Sequence, residues 1–568
     1  MHNVELFVLV TGAVAVTAVC RRRGWPAPLV LVAAAIVVSF VPGVPRYEIE
    51  PEILLEFVLP PLLYSAALSS SYRDFRSSLN SITRLGVGLV LVTAVAVALV
   101  FWWTEPSVPF AAALVLGAVV APPDAVAAAA VGKRLGLPRR VMTLLSGESL
   151  INDATSLTLY KVAIAGVATG AWAIADGVAV FALAVGAGVA VGLVLAWVVH
   201  TVRLRLDDPV VASAIGLLTP FAAYWLGEEL HGSGVLAVVA AGLYLGHTSP
   251  RAGYATRLYE EPIWSTVDLV LESFTFALIG VQLPWVVRDV VASDQGVRHG
   301  IAVSLLVLLV AILVRPVYIF LTARFDNLRL RGSHRPPQDS LSARESAVVS
   351  WAGMRGVVTL AAAAAIPVTS AGAPFPERAT LQLAAYTVAI GTLLVQGLTL
   401  PWVITRLGVG SADETAQDAA QEAAVRVATA DAVHDVLERQ RADWSAHLGP
   451  ERAGELIDRL SGVWRARATA AAVMLDPDSA DELVPEQADP TDVSGALREV
   501  SPTRVPTPEE GLRTQRLRRE IVAAQREVLM DRRDSGELDE AVMRRMMREL
   551  DLEDESLSSS WIERVQKR

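Results

Sequence analysis

The segment "LVLGAVVAPPDAVAAAAVGKRLG", residues 114–136, is an apolar run that two prolines and an aspartate interrupt near its middle. Proline has no backbone N–H and its ring clashes with the preceding turn, so a helix is expected to break at Pro122 and Pro123. Carbonyl groups freed by such a break are tolerated at membrane depth only where they face protein or a wet cavity. Asp124 follows directly. A carboxylate beside unwound backbone at that depth can replace the hydration shell of a cation.

The rest of the chain predicts that this run lies in a membrane. Of the 568 residues, 53% are hydrophobic and only 19% are charged, which is too apolar for a soluble protein with an ordinary surface. Crossing ~30 Å of hydrocarbon takes roughly 20 apolar residues in a helix, and runs of that kind predict about thirteen spans. They lie near residues 4–20, 27–44, 52–69, 84–103, 107–131, 141–168, 173–200, 209–227, 232–248, 262–283, 299–323, 345–369 and 379–405.

The distribution of basic residues predicts the orientation. If the first span ends inside, at Arg21–Arg23, the alternating loops place roughly 19 Lys and Arg inside and about 4 outside. The N-terminus is therefore expected outside and the C-terminal tail in the cytoplasm, in a multi-pass protein of the plasma or inner membrane. No cleavable signal peptide is expected, because the basic cluster follows the first apolar run instead of preceding it.

The C-terminal part has a different composition. The net charge of −10 comes from residues 409–568, whereas residues 1–408 are close to neutral. The tail contains charged amphipathic patterns such as "QDAAQEAAVRVATADAVHDVLERQ", and polar segments rich in Pro and Asp separate these patterns. We expect a membrane domain over 1–408 and a helical, regulatory tail over 409–568. The ligand of the tail is not predicted, and nothing indicates a nucleic-acid partner.

The sixth span carries charges where a membrane helix tolerates them least. In "SGESLINDATSL", residues 146–157, Ser149 and Asp153 share one helix face, and Glu148 and Asn152 share the neighbouring face. A charge at the centre of a span costs about 2.5–3.5 kcal/mol, so such residues indicate a functional site. Arg355, in "WAGMRGVVTLAAAAAIP", is expected to pair with Glu148, because a guanidinium stays charged when it is buried.

Asp153 is then left without a fixed cation. It can hold a proton and release it to an incoming cation, and competition of the two for one carboxylate is enough for exchange. Asp153 and Asp124 are thus the predicted ligands of the transported cation. We expect no cofactor and no enzymatic activity, since no pairing of a nucleophile with a base is evident.

These residues resemble the NhaP-like, electroneutral branch of the monovalent cation/proton antiporter superfamily, in its bacterial long-tailed form. The matching segments cover residues 5–405 and are "FVLPPLLYSAAL" (57–68), "APPDAVAAAAVGKRLGLPRR" (121–140), "GESLINDATSL" (147–157), "ESFTFALIGVQL" (272–283) and "WAGMRGVVTLAAA" (351–363).

The resemblance implies an all-α membrane protein with inverted repeats and crossed, broken helices, which works as a homodimer in lipid. It implies that Asp153 binds the ion and the proton, that Asp124, Asn152 and Ser149 support it, and that one cation is exchanged for one proton. The chain departs from many relatives at Pro123-Asp124-Ala125, where they have Thr-Asp-Pro, and at Ser65, where some have an acidic residue. Both departures bear on the choice of cation.

The leading hypothesis is therefore a secondary antiporter that exchanges Na⁺ or Li⁺ for H⁺. The alternatives are a K⁺/H⁺ antiporter, since carboxylates and carbonyls suit any hard cation, and a membrane sensor that binds an ion or senses pH without transport. Three further charged residues are assigned smaller roles. Glu272 is expected to make structural contacts, whereas Lys161 and Arg315 are expected to extend their charged ends toward the membrane surface.

Overall fold

The structure is a computed structural model, and it describes residues 2–41, 54–169, 174–206, 208–291, 296–330, 341–370, 372–410, 412–475 and 508–558. The predicted linkers between 476 and 507 lie outside these ranges, as do three of the basic residues counted in the loops for the orientation, Arg46, Arg331 and Arg335. The chain forms two compact units. The membrane unit contains Met1–Ser249 and Glu260–Gly410, and the tail unit contains Pro250–Tyr259 and Ser411–Arg568.

Helices account for almost all of the regular structure in the described residues. Up to residue 407 they are α1 (His2–Arg23), α2 (Ala27–Ser39), α3 (Leu59–Ser69), α4 (Tyr72–Ser77), α5 (Leu79–Thr83), α6 (Val90–Thr104), α7 (Phe110–Val120), α8 (Ala125–Leu135), α9 (Arg139–Thr169), α10 (Ile174–Arg203), α11 (Pro209–Glu229), α12 (Gly234–Thr248), α13 (Tyr254–Val291), α14 (Val297–Leu330), α15 (Ala343–Trp351), α16 (Val357–Ala364), α17 (Arg378–Thr392) and α18 (Leu398–Leu407). Turns of π-helix precede α3, α6 and α18, and a 3₁₀ turn precedes α13. Two short antiparallel strands, β1 (Thr369–Ser370) and β2 (Ala373–Pro374), pair between α16 and α17.

Seven helices within the described ranges are long and apolar enough to cross a membrane, and three shorter helices are also apolar. The seven segments are Val4–Arg23, Leu79–Thr104, Ala182–Arg203, Pro209–Glu229, Tyr254–Val291, Val297–Arg324 and Arg378–Leu407. Each predicted span overlaps a helix or a pair of half-helices of the structure. The all-α membrane fold is thus confirmed, whereas the number of thirteen spans stays a prediction.

Helix α14 shows how sequence periodicity divides a helix between lipid and protein. Leu305, Leu309 and Leu313 recur every fourth residue and are exposed, so they form the face that suits hydrocarbon. Ala311 and Arg315 lie on the opposite face and are buried. The same helix therefore presents an apolar surface outward and a charged group to the protein interior.

Two pairs of half-helices define the centre of the membrane unit. The first break, at residues 121–124, separates α7 from α8, as the consecutive prolines predict. The second break, at residues 352–356, separates α15 from α16, although the sequence interpretation treated 345–369 as one span. The Asp124 N–H donates to the Met354 carbonyl at 2.6 Å, so the two unwound segments are in direct contact.

Side-chain caps determine where several helices begin. Ser342 and Glu345 form a reciprocal capping box at the start of α15. Asp208 accepts from two backbone N–H groups at the start of α11, and Ser233 accepts from Leu236 N at the start of α12. These polar residues satisfy N–H groups that the first helical turn leaves without partners.

The tail unit is also helical. Its helices are α19 (Ala412–Arg439), α20 (Arg441–Leu448), α21 (Pro450–Leu475), α22 (Pro508–Ser535) and α23 (Glu540–Ser558). On α19, Val433, Val436 and Leu437 form one apolar stripe that packs against Ile457 of α21 and Ile521 of α22. A second cluster joins α19, α22 and α23 and contains Val425, Leu529, Leu538, Val542, Met543, Met546 and Met547.

Candidate functional site

The contact between the two helix breaks leaves four half-helix ends close together. At such ends, N–H groups of the starting half-helix and carbonyl groups of the ending half-helix lack partners within the helix. The two kinds of end carry opposite partial charges, positive at an N-terminus and negative at a C-terminus. Asp124 directly precedes α8, and Gly356 directly precedes α16, so the carboxylate is placed where two helices start.

Gly356 is required for this close approach. A Cβ atom added at position 356 would overlap the Asp124 carboxylate. Neither the α16 start nor Asp124 could keep its position if any other residue stood there. Glycine is therefore a steric requirement of the crossing and not only a breaker of the helix.

Arg355 is buried at the opposite, C-terminal ends of the half-helices. Its guanidinium donates to carbonyls of Val120, at the end of α7 (3.0 Å), of Ala311 in α14 (3.2 Å), and of Gly353 in the second break. Its backbone N–H donates to Thr392 Oγ1 of α17 at 3.0 Å. One positive charge thus satisfies carbonyl groups that the two breaks expose, where helix ends carry negative partial charge.

The predicted pairing of Glu148 with Arg355 is wrong. Glu148 pairs with Arg315 of α14 through two parallel bonds, one of them 2.7 Å between Arg315 Nη2 and Glu148 Oε2. Arg315 also donates from Nε to the Val349 carbonyl at 2.9 Å. Arg355 remains within electrostatic range of both partners, although it does not bond the carboxylate.

The expected snorkelling of Arg315 is also wrong, since the residue is 2% exposed and Glu148 is 1% exposed. The predicted span 299–323 put Arg315 within eight residues of an end, whereas α14 continues to Leu330. The signal that could have identified it was the charge itself, because a mid-span arginine needs a buried partner. Lys161, by contrast, is half-exposed and pairs with Glu228 of α11.

Helix α9 presents its polar residues to the first break. Asn152 Nδ2 donates to the Pro123 carbonyl at 2.9 Å, and one turn later Ser156 Oγ donates to the Ala118 carbonyl at 2.8 Å. Asn152 is fully buried, and its Oδ1 atom has no hydrogen-bond partner in the described part of the chain. The amide therefore fixes the broken helix with one end and offers an oxygen atom with the other.

Asp153 follows Asn152 and is 5% exposed. Within the described ranges its carboxylate makes no hydrogen bond and no ion pair, and Asp124 is the charged group that acts on it. Ser149, one turn earlier on α9, is partly buried. The structure thus brings Asp153, Asp124 and Asn152 into one region, with Glu148 neutralised separately by Arg315.

A second group of polar residues lies on α13. Ser65 of α3 donates to Asp268 Oδ2 at 2.6 Å, so the serine that replaces an acidic residue of some relatives has a carboxylate partner here. Glu272, one turn further, lies within electrostatic range of Asp124 and Asp268. Glu272 therefore belongs to the electrostatic surroundings of the site.

Crossed, broken helices with buried carboxylates and a buried arginine define a class of protein, the secondary transporters that bind ions at half-helix ends. The family model "Sodium/hydrogen exchanger, transmembrane" matches residues 7–406, and the chain belongs to that family.

An uncharacterised Na⁺/H⁺ exchanger of Mycobacterium tuberculosis is 32% identical over 98% of this chain and 96% of its own length. A sodium, potassium, lithium and rubidium/H⁺ antiporter of Bacillus pumilus is 31% identical over 66% of this chain and 57% of its own. The solved structure of the sodium proton antiporter MjNhaP1 from Methanocaldococcus jannaschii has a TM-score of 0.57, with 19% identity, and the match covers 71% of this chain and 97% of that one.

The predicted NhaP-like family is therefore confirmed. The protein is a multi-pass membrane protein of this family, a secondary transporter that exchanges a monovalent cation for H⁺.

Proposed function

We propose that the protein exchanges one Na⁺, or one Li⁺, for one H⁺, and that Asp153 is the carrier of both. The observation that supports this assignment is a buried Asp153 carboxylate with no hydrogen bond or ion pair in the described residues. The unpartnered Asn152 Oδ1 lies beside it in sequence. Asp124, Asn152 and Ser149 supply further oxygen atoms to the cation.

The stoichiometry follows from the charge of the site. An ionised carboxylate without a partner is costly to bury, so Asp153 is neutralised by either a proton or a cation at each stage. Glu148 takes no part in this exchange, because Arg315 already neutralises it. Only one charge is exchanged for another, and alternating exposure of Asp153 to the two sides of the membrane gives electroneutral antiport.

The charged groups at the half-helix ends stabilise the site in both its proton-bound and its cation-bound state. Arg355 satisfies carbonyls at the C-terminal ends of the half-helices, and Asp124 lies at the N-terminal ends. Because protein groups hold Arg355 and the backbone of Asp124, binding requires little rearrangement of the polar groups. The mobile charge is thus limited to the ion or proton on Asp153.

A K⁺/H⁺ antiporter is the second candidate. The Bacillus pumilus relative is named for sodium, potassium, lithium and rubidium, and oxygen ligands by themselves do not select among these ions. Pro123-Asp124-Ala125, which differs from the Thr-Asp-Pro of many relatives, is the part of the site where selectivity is expected to change.

The test is proton movement in proteoliposomes with a pH-gradient dye, after addition of Na⁺, Li⁺ or K⁺. We expect Na⁺ and Li⁺ to dissipate the gradient with wild-type protein, and Asp153→Asn to abolish the response while the protein elutes normally from a sizing column. A response to K⁺ alone would identify K⁺, and not Na⁺ or Li⁺, as the transported cation. A wild-type response retained by Asp153→Asn would exclude Asp153 as the carrier.

We also propose a homodimer in the plasma or inner membrane, with the tail in the cytoplasm. The resemblance to the NhaP-like branch supports the dimer, and the excess of Lys and Arg in alternating loops supports the orientation. Cross-linking of purified protein in lipid, analysed by mass, tests the dimer.

A further inference from the structure

A cavity of about 290 Å³ lies beside the second half of α9, within the membrane unit. Residues of α9, α10, α11 and α12 form its walls, together with Leu55 of the π-helical turn before α3. At one end it is lined by the turn between α11 and α12, which contains His231, Gly232 and Ser233. The alternation of the predicted spans places this turn outside. The cavity is therefore predicted to open toward the outer surface.

The other end of the cavity lies close to the ion site along α9. Asp153, Leu157 and Lys161 recur every fourth residue and therefore share one face of this helix. Leu157 lines the cavity one turn beyond Asp153, about 6 Å away at 1.5 Å per residue. Leu157 is 5% exposed, whereas Lys161, a further turn along, is half-exposed. The cavity thus extends from the exposed end of this face to within one helical turn of the proposed carrier.

An ion pair lies at the exposed end of the cavity. Lys161 Nζ of α9 pairs with Glu228 Oε2 of α11, and both side chains line the cavity. Glu228 Oε1 accepts from the Gly234 N–H of α12 at 3.1 Å. Half of the Lys161 side chain and a third of the Glu228 side chain are exposed, so either charge stays hydrated without its partner. Exposed pairs of this kind contribute little to stability, typically about 0–1 kcal/mol.

We propose that this cavity is the path by which the transported cation passes between Asp153 and the outer side, and that Lys161 and Glu228 set the affinity for the cation on that side. This inference rests on the proposed function. A negative charge that lines a cleft raises the local concentration of cations, and a positive charge lowers it. While Lys161 and Glu228 are paired, their two fields largely cancel. Removal of one charge leaves the field of the other uncompensated.

Charge-neutralising variants separate this role from a structural one. In Lys161→Gln the Glu228 carboxylate is left alone, so we expect the half-maximal outer Na⁺ concentration to fall about threefold or more. In Glu228→Gln the Lys161 ammonium is left alone, while the amide oxygen can still accept from Gly234, so we expect a rise of a similar factor. The double variant should lie close to wild type. A merely structural pair would shift both single variants in the same direction.

Glu229→Gln is the matched control. Glu229 is the next residue of α11, is exposed, and does not belong to the described lining of the cavity. The variant removes the same charge from the same helix end as Glu228→Gln. We expect its half-maximal Na⁺ concentration to equal that of wild type, because its charge does not face the path.

The first experiment measures Na⁺-driven proton movement at one fixed pH in right-side-out and in everted membrane vesicles. We expect the opposite shifts of Lys161→Gln and Glu228→Gln in right-side-out vesicles, where added Na⁺ meets the outer face, and no shift in everted vesicles. Choline chloride should reduce both shifts, since salt screens exposed charges.

Three results of this experiment would overturn the inference: shifts of both single variants in one direction, wild-type values in both, or an equal shift in Glu229→Gln. Each of them leaves the proposed function intact if wild type is active. If wild type moves no protons with any cation, the proposed function fails first and this inference fails with it.

The second experiment tests whether the path runs through the cavity. Val235 of α12 lines the cavity, whereas Val238, one turn further along, is fully buried and does not belong to the described lining. In a Cys20→Ser background, we expect an impermeant, cationic thiosulfonate added outside to modify Val235→Cys and to block most of its exchange. The same reagent should leave Val238→Cys unmodified and active. A Val235→Cys protein that is not modified from outside, or that is modified without loss of exchange, would contradict the inference.

Discussion

Asn152 uses the two ends of one amide for different purposes. Its nitrogen holds the Pro123 carbonyl at 2.9 Å, and its oxygen is buried without a protein partner in the described residues. The residue therefore fixes the conformation of the broken helix and also offers an oxygen atom to the site. Among the same described residues its neighbour Asp153 has no such bonds, which leaves the carboxylate available for an ion or a proton.

Removal of this amide is expected to weaken cation binding more than folding. For Asn152→Ala we expect the half-maximal Na⁺ concentration to rise about 2- to 13-fold, since one hydrogen bond contributes about 0.5–1.5 kcal/mol. The measurement is the Na⁺ dependence of dye dequenching in everted vesicles. Thr155→Val is the control, because the Thr155 hydroxyl bonds the Ile151 carbonyl of its own helix. An unchanged Na⁺ dependence in Asn152→Ala would remove this residue from the site.

The pair Glu148–Arg315 is expected to be a stability determinant. Arg315→Ala leaves a buried carboxylate uncompensated, so we expect a loss of about 3–5 kcal/mol and a clear drop in thermal stability. Thermal unfolding monitored by sizing-column fluorescence measures it. In double-mutant cycles, Glu148 should couple to Arg315 by at least about 1 kcal/mol and less to Arg355. A stronger coupling of Glu148 to Arg355 would instead support Arg355, the partner predicted from the sequence.

At the scale of the element, two short helix breaks provide the geometry that a continuous helix cannot. A continuous helix satisfies its own carbonyls, whereas the breaks at 121–124 and 352–356 present backbone groups to Arg355 and Asp124. Consecutive prolines cause the first break. The second depends on Gly356, which alone permits the approach of the Asp124 side chain.

Gly356→Ala is therefore expected to abolish exchange or to reduce it by at least tenfold, since the added methyl group displaces Asp124 from the helix starts. Initial rates in proteoliposomes measure the effect. Gly186→Ala in α10 is the matched control, because an added Cβ there has no neighbour within 4 Å. Alanine at 186 also favours the helix by roughly 0.8–1.0 kcal/mol. Full activity of Gly356→Ala would show that exchange does not require the close approach of Asp124 to the start of α16.

At the scale of the whole molecule, the charge count predicts the response to membrane potential. Movement of one net charge across 100 mV corresponds to about 2.3 kcal/mol. A one-for-one exchanger moves no net charge, so we expect the rate of Na⁺/H⁺ exchange to stay the same when valinomycin and K⁺ gradients set the potential to zero or to 100 mV. A rate that depends on the potential would require a second exchanged charge and would contradict a single carrier.

The orientation is tested by thiol labelling in a Cys20→Ser background, since Cys20 is the one cysteine of the chain. Ser107, between α6 and α7, is exposed and is predicted to lie outside, whereas Ala446 is exposed on tail helix α20. We expect an impermeant maleimide to label Ser107→Cys in intact cells and Ala446→Cys only after permeabilisation. The reverse pattern would place the tail outside.

Local patterns were sufficient for the fold class and for the family. The apolar runs predicted helices that the structure contains, and Pro122 and Pro123 predicted the first break, because proline acts on its own backbone. The partner of Glu148 was not predictable in the same way. Arg355 and Arg315 are both far from Glu148 in sequence, and both were compatible with a buried ion pair.

The sequence by itself determined the membrane setting, the first helix break and the buried carboxylates, because hydrophobicity, proline and charge act on neighbouring residues. Only the tertiary structure decided that Arg315 neutralises Glu148 and that Arg355 binds carbonyls of the breaks. It also showed that Pro250–Tyr259, which includes the first residues of α13, belongs to the tail unit. The Glu148–Arg315 contact joins residues 167 positions apart, and the contact of Arg355 with Val120 joins residues 235 positions apart. The choice among such partners depends on which helices approach closely enough to exclude water, and no local pattern contains that information.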